Sequence, residues 1–298
     1  MKKQLAVASA LLIFALCRLP FALLAQTAPP ATEVFLTPLT WANSALTVGT
    51  PVNISNNPGY DNQPSFLPDS SGVLFASNRD TKQNDIYKYD IATKQVVQLT
   101  KTDENEYSPL VAPDGKSFLT VHGTEQSIFR YDMDGSHPRL AFQYGKELIG
   151  YHVWTSATEF AAFVLANAPA PQSLQVINIT TGKGEIIETN TGRSLLRRVG
   201  HNTISFVSKT DPQKWVIKEF DIKTHAVTML TETVPRAEDL AWLGDGRAVM
   251  ASGSKLFAWQ MGTPGWTEIA DFTAAGVRRI TRLATSRDGK FLAIVGEP

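Results

Sequence analysis

Cysteine is nearly missing from this sequence. The single thiol, Cys17, lies close to the start, and everything after residue 25 must do without one. That excludes disulfides, a thiol nucleophile and a Cys-based zinc site from most of the chain, which has to hold itself by packing. A surplus of charge is missing too. The 28 basic residues balance 28 acidic ones, so nothing in the bulk charge favours nucleic acid. There is no G-x-S-x-G elbow. The five histidines, His122, His137, His152, His201 and His225, never fall at H-x-x-H or H-E-x-x-H spacing. Asp132-Met133-Asp134-Gly135 looks like half of an EF-hand loop, but the remaining oxygen ligands and the closing Glu are absent, so a hairpin turn is expected there. No metal or other cofactor is expected.

What is present is a repeat. Tyr60 to Thr100 holds three runs with strand character, VLFAS (73–77), DIYKYDI (85–91) and QVVQLT (95–100), and a further strand from Pro64 to Leu67. DIYKYDI alternates apolar and polar residues, the pattern of a half-buried strand. Turn residues separate the runs, among them Pro68-Asp69-Ser70-Ser71-Gly72. The residue three before each turn Asp serves as a mark: Phe66, Val111, Trp242 and Thr285 in four clear copies, with Trp154 and Val199 in two degenerate ones. Successive marks are 45, 43, 45, 43 and 43 residues apart. The third strand recurs as SIFRYDM, SLQVINI, WVIKEFDI and KLFAWQM. A unit of four short strands cannot bury its own face, so a repeat near 44 residues predicts an array of stacked blades.

The pattern resembles the TolB-like branch of WD-type β-propellers, roughly P-x-x-S-P-D-G, an apolar strand, S-x-R-D-G, I-Y-x-x-D and a final L-T. Pro64, Pro68-Asp69, Ser77-Asn78-Arg79-Asp80, Ile86-Tyr87, Asp90 and Leu99-Thr100 carry it. The resemblance implies an all-β fold: a six-bladed β-propeller of four-stranded antiparallel blades over residues 33–298. It covers the propeller alone. The α/β domain that precedes the propeller in TolB has no counterpart in residues 26–32, read as a Pro/Ala linker, and no peptidase domain accompanies the ring. EVFLTPLTW (33–41) and LTVGTPVNIS (46–55) match the third and fourth strands of a blade, with Asn53-Ile54-Ser55 in the Q-L-T position. RRITRLATS (278–286) and KFLAIVG (290–296) match the first and second. Together the two ends make one blade, which closes the ring by strand pairing.

Residues 1–25 have the layout of a signal peptide. Lys2 and Lys3 precede the apolar run LAVASALLIFAL, and Ala25 is the expected cleavage position. An uncleaved anchor and lipidation at Cys17 are the alternatives. Arg18 and Pro20 interrupt the run short of the ~18 apolar residues a span needs. The expected location is periplasmic or secreted, without a stable membrane span.

Function is less legible. In a propeller, the loops leading into each first strand and those joining second to third strands share one end of the ring. That end is expected to gather Tyr60, Asp61, Asn62, Asn78, Arg79, Glu106, Tyr107, His122, Glu238 and Asp239 around a channel mouth. Asp61 and Glu106 stand at aligned positions. Two carboxylates facing one channel repel unless a cation, a basic side chain or water offsets the cost, so a ligand seat is expected there. His137 and His225 align with turns of the opposite end, and solvated loop histidines are expected. The resulting expectation is a monomeric, exported, non-enzymatic propeller that binds an envelope or secreted protein or peptide. The alternative is a propeller that binds or cleaves a glycan at the channel mouth.

Overall fold

The computed structural model describes residues 31–43, 45–79, 83–166, 169–198 and 200–298. The expected leader, most of the linker, Asp80 and the mark Val199 lie outside the described residues.

Six sheets stand around a central channel. Blade one comprises Asp61–Phe66, Gly72–Ser77, Asp85–Asp90 and Gln95–Gln98, counted from the channel outwards. Blade two comprises Glu106–Val111, Ser117–His122, Ser127–Asp132 and Arg139–Phe142. Blade three comprises Leu148–Trp154, Glu159–Leu165, Ser173–Asn178 and Lys183–Thr189. Blade four comprises Thr191–Arg197, Thr203–Ser208, Val216–Asp221 and Val227–Glu232. Blade five comprises Leu240–Trp242, Ala248–Ser252, Lys255–Trp259 and Thr267–Asp271. All neighbouring strands within a blade are antiparallel.

Blade six is built from both ends of the sequence, as the strand patterns predict. Ile280–Thr285 lies innermost and pairs Phe291–Gly296, which pairs Glu33–Ala42. The fourth strand departs from expectation, because it is split. Ala45–Val48 pairs residues 39–42, and Val52–Asn53 pairs Phe35 and Leu36. The assignment of Asn53-Ile54-Ser55 to the Q-L-T position holds in detail. Ser55 Oγ accepts from Val34 N at 2.9 Å, as Thr100 Oγ1 accepts from Ile86 N at 2.9 Å in blade one. Thr32, expected in the linker, is already docked: it is buried and bridges Tyr60. In blade four the innermost strand ends at Arg197, two residues before the mark assigned from spacing. Without a P-D-G turn nothing in that blade anchors the count.

The core lies between blades rather than within them. One cluster of buried apolar side chains fills each of the six blade interfaces. Second strands are buried on both faces, as in Gly72–Ser77, so they read as continuous apolar runs. Trp154 and Trp242 pack in these interfaces, and Trp242 Nε1 donates to Ser205 Oγ at 2.9 Å. The Asp132–Gly135 segment is a hairpin turn. Gly135 (φ 86°) is required there, since a Cβ would stand 1.8 Å from the Leu99 carbonyl oxygen.

Candidate functional site: a polar belt across the channel

Each innermost strand runs from the face bearing the loops that lead into it, here the leading face, to the face bearing the first hairpin turns, the turn face. Five of these six strands carry a register shift midway. A bulge inserts an unpaired residue and reverses the side-chain alternation before it. Gln63 and Ser108 sit at two of these bulges with φ of 57° and 50°, a conformation uncommon for residues with a side chain.

One column of residues faces the axial cavity, three positions before the end of each innermost strand and set by a bulge in every blade but the fifth: Gln63, Ser108, Tyr151, Ser194, Asp239 and Arg282. A belt of polar contacts joins five of them, while Ser194 Oγ accepts from Leu240 N instead (3.3 Å). Ser108 N donates to Gln63 Oε1 (2.9 Å), and Gln63 Nε2 donates to the Tyr151 hydroxyl (3.1 Å). Arg282 Nη2 donates to the same hydroxyl (2.7 Å), while its Nη1 lies 3.3 Å from Asp239 Oδ2. Arg193 of blade four completes the belt, with Nε 3.5 Å from Asp239 Oδ2.

Two guanidiniums therefore share one carboxylate. Burial raises the Asp239 pKa, with Arg282 and Arg193 pulling the other way. For Arg282, burial opposes the charge, but Asp239 and Tyr151 outweigh it and hold the pKa above its ordinary value. Glu238 is engaged separately, by Lys209 Nζ (2.9 Å) and by Arg193 N (2.8 Å). Arg282 Nε is buried and has no hydrogen-bond acceptor among the described residues, and the approach of Arg193 Nε to Asp239 is an ion pair rather than a hydrogen bond.

The belt divides the channel. On the turn face lies an axial cavity of about 430 Å³ lined by all six blades, reaching from Gln63, Tyr151 and Arg282 out to Pro68, Gly244 and Arg287. On the leading face a second cavity of about 430 Å³ lies off the axis, between blades five and six, and includes Arg236, Glu238 and Arg279. Arg193, Asp239 and Arg282 line both.

The residues expected at the leading mouth are brought to that face, and most are taken up by contacts within their own blade or with the next one. Asp61 and Glu106 are fully buried and do not form a pair of carboxylates at the mouth. The bulge after Asn62 places Asp61 on the side away from Ser65, where Asn57 Nδ2 (3.2 Å) and Arg79 (3.7 Å) meet it. Burial raises its pKa to about 6 against the opposing pull of Ser77, Asn57 and Arg79. Glu106 accepts from the Tyr131 hydroxyl and lies 3.3 Å from His122 Nδ1. His122, expected in a loop, ends the second strand of its blade and stacks on Phe129 at 4.1 Å. Asn78 Oδ1 accepts from Tyr60 N (2.8 Å), and Asn62 is buried against Thr32. Tyr60 and Tyr107 pack edge to face at 6.4 Å. Burial raises the Tyr60 pKa, with Tyr151, Arg282, Tyr107 and Arg193 in electrostatic reach, so this ring covers the belt from the leading side.

The histidines divide. His137 and His225 are exposed turn residues, as expected. His152 is not solvated. It lies buried in the innermost strand of blade three beside Phe160, both ring nitrogens lack partners among the described residues, and burial lowers its pKa to about 4. Among the described residues no three of His, Cys, Asp and Glu gather as a metal-binding group, and no helix is long and apolar enough to cross a membrane.

Sequence reasoning singled out Asp239 but missed Gln63, Tyr151, Arg193 and Arg282. The column three before each strand end is polar or tyrosine in every blade, but the residue before it is also mostly polar (Asn62, Arg193, Glu238, Thr281), so alternation along one strand does not single the column out.

No family model matches the chain, and no curated sequence matches it. Solved structures do. TolB from Acinetobacter baumannii superposes with a TM-score of 0.56 at 15% identity over 89% of this chain, which spans only 63% of that protein's length. A TolB candidate from Agrobacterium tumefaciens gives 0.65 at 14% identity, covering 89% of this chain and 98% of that one. Oligogalacturonate lyase from Vibrio parahaemolyticus gives 0.51 at 14% identity, covering 91% and 99%. At such identities the likeness is one of fold, and the fold is the TolB-like six-bladed β-propeller.

Proposed function

We propose that this protein is a binding propeller that takes a segment of a protein partner into its axial cavity. The observation that carries the reading is the cavity itself. All six blades line it, it lies on the turn face, and the belt stops it at its inner end. A concave, partly apolar site with a few fixed polar groups on a rigid scaffold is the usual form of a binding site. The reading keeps Asp239 in the site. It moves the mouth to the end of the ring opposite to that expected from the loops, because Tyr60 and Tyr107 fill the leading side of the belt. Tyr60, Asp61, Asn62, Asn78, Arg79, Glu106, Tyr107 and His122 then serve as structural contacts: Arg79 reaches the Ser55 carbonyl at the end of blade six, Tyr60 and Tyr107 pack across blades one and two, and Asn78, Glu106 and His122 bind within their own blades.

A pull-down from envelope extract with the full chain tests this. Ala284→Trp fills the cavity and should abolish capture of the partner. Arg236→Glu, on the leading face, should leave capture intact. The reverse result would place the site on the leading face.

A glycan ligand is the second reading. It rests on the likeness to oligogalacturonate lyase and on the arginines of the cavity. Hydrolysis by two carboxylates needs a pair about 5 or 6.5–9.5 Å apart, and Asp239 is the single carboxylate among the residues that line the cavity.

The reading includes export. Mass spectrometry of the envelope fraction should find a chain beginning near Gln26. Intact Met1, or a lipid on Cys17, would overturn that part.

A further inference from the structure

The charge of the axial cavity is not that of the chain. The protein as a whole is neutral, yet four arginines and one aspartate line this space: Arg193, Arg197, Arg282 and Arg287 against Asp239. Asp239 is already shared between Arg193 and Arg282. Arg197 donates to the carbonyls of Trp154 and Thr155 and forms no ion pair among the described residues. Arg287 is exposed at the rim and likewise has no acidic partner among them. The turn carboxylates nearby are occupied by their own turns. Asp69 accepts from Ser71 N, Asp245 from Arg247 N and Asp288 from Lys290 N.

The floor differs from the rim. Arg282 is held by Asp239 on one side and by Tyr151 on the other, with Nε buried and unaccepted. A buried donor without an acceptor gains most from an anion, and a guanidinium fixed by neighbours loses little freedom on binding one. The walls between floor and rim are largely apolar, including Leu67, Leu196, Trp242 and Leu243. The ligand that fits is an anionic group at the end of an apolar body.

Topology decides where that group sits in a peptide. The belt closes the inner end, so an extended segment cannot thread through and must present a chain end to the floor. Of the two ends of a polypeptide, the negative one is the C-terminus. From Arg282 to the last residue of its strand, Thr285, is three residues, about 10 Å at ~3.3 Å per residue. An extended tripeptide spans the same depth.

We infer that the axial cavity recognises the C-terminal carboxylate of a partner protein, with Arg282 meeting the carboxylate and the apolar walls meeting the last two or three side chains. The inference rests on the proposed binding function and can fail separately from it.

The probe is a library of fluorescein-labelled octapeptides with apolar final residues and free carboxylates. The controls are the same library amidated at the C-terminus and a free aliphatic acid, hexanoate, as competitor. Fluorescence polarisation with the full chain should show binding of the free-carboxylate library. Amidation should weaken it by about 10- to 100-fold, the scale of a charge-assisted hydrogen bond. Arg282→Gln should do the same. Arg287→Glu, at an exposed position that folding does not depend on, should weaken binding several-fold and reduce its salt dependence. Equal binding of the amidated library, lost in Ala284→Trp, would overturn the carboxylate inference while leaving the binding function standing. Hexanoate competing as well as the peptides would overturn the assignment to a protein C-terminus. Binding of neither library, with a partner still captured from extract and still lost in Ala284→Trp, would also overturn it. If no partner is captured either, the proposed function falls with it.

Discussion

Arg282 Nη2 lies 2.7 Å from the Tyr151 hydroxyl, and the two residues stand on blades six and three, opposite one another in the ring. The contact is a strut across the channel. Gln63 joins it at the same hydroxyl, and Asp239 anchors its charged end.

Removing parts of the strut should cost stability unequally. Tyr151→Phe leaves Gln63 Nε2 and Arg282 Nη2 without their shared acceptor, at about 1–3 kcal/mol. Arg282→Met leaves a buried Asp239 with Arg193 alone and should cost about 3–5 kcal/mol. Adding Asp239→Leu to Arg282→Met should recover part of that loss. Urea denaturation with an unchanged slope checks all three.

His152 should weaken folding in acid. Its pKa is about 6.5 unfolded and about 4 folded, so the unfolded state binds more protons between those values. This group's contribution is full above pH 6.5 and falls by about 3 kcal/mol as the pH drops to 4. His152→Leu removes that fall, so in a thermal melt series from pH 8 to 4 the variant should gain stability relative to the wild type as the pH drops.

Asp61 should act with the opposite sign. Its pKa is raised from 3.8 to about 6, so the unfolded state releases its proton first. This group's contribution falls as the pH rises from 3.8 to 6 and stays low above that, by up to about 3 kcal/mol. Asp61→Asn should therefore raise the Tm at pH 7.5 and change it little at pH 4. Between pH 4 and 6 the slopes from His152 and Asp61 largely cancel in the wild type. Each single variant should expose the other's slope in melts over that range.

The shared blade should be indispensable. Deleting residues 278–298 removes its innermost and second strands and uncovers Val34, Phe35 and Leu36. Aggregation or loss of a cooperative transition is expected by calorimetry. A truncated protein that melts like the full chain would show that the closure carries no weight.

The parts of this structure legible in the sequence are those set by local rules. DIYKYDI alternates over Tyr87, Tyr89 and Ile91, which pack in one blade interface, although the expected half-buried strand is buried on both faces, with Ile86 in the next interface, and P-D-G turns recur because each reverses the chain by the same means. The pairing of both termini followed from two half-blades that completed each other. The split after Val48 was not legible, because Ala45–Val48 and Val52–Asn53 each pair a different stretch of one long strand. Nor was the belt. Bulges at Gln63, Ser108, Gly150 and Thr281 reverse the alternation on which face assignments rest, so Asp61 left the channel and Arg282 and Tyr151 entered it. Those bulges depend on contacts between blades, which no window of one strand contains.

The pairing of Glu33–Ala42 with Phe291–Gly296 also sets a schedule for the polypeptide. A strand synthesised early has a β-partner that emerges some 250 residues later. At about 5–20 residues per second that is a wait of roughly 10–50 s. Until then Val34 and Leu36 have no second strand beside them, and the ring is an open arc with two adhesive ends. Contacts of such long sequence separation slow folding and prolong exposure to aggregation. Through that wait the unpaired edge of the early strand is open to association with other chains.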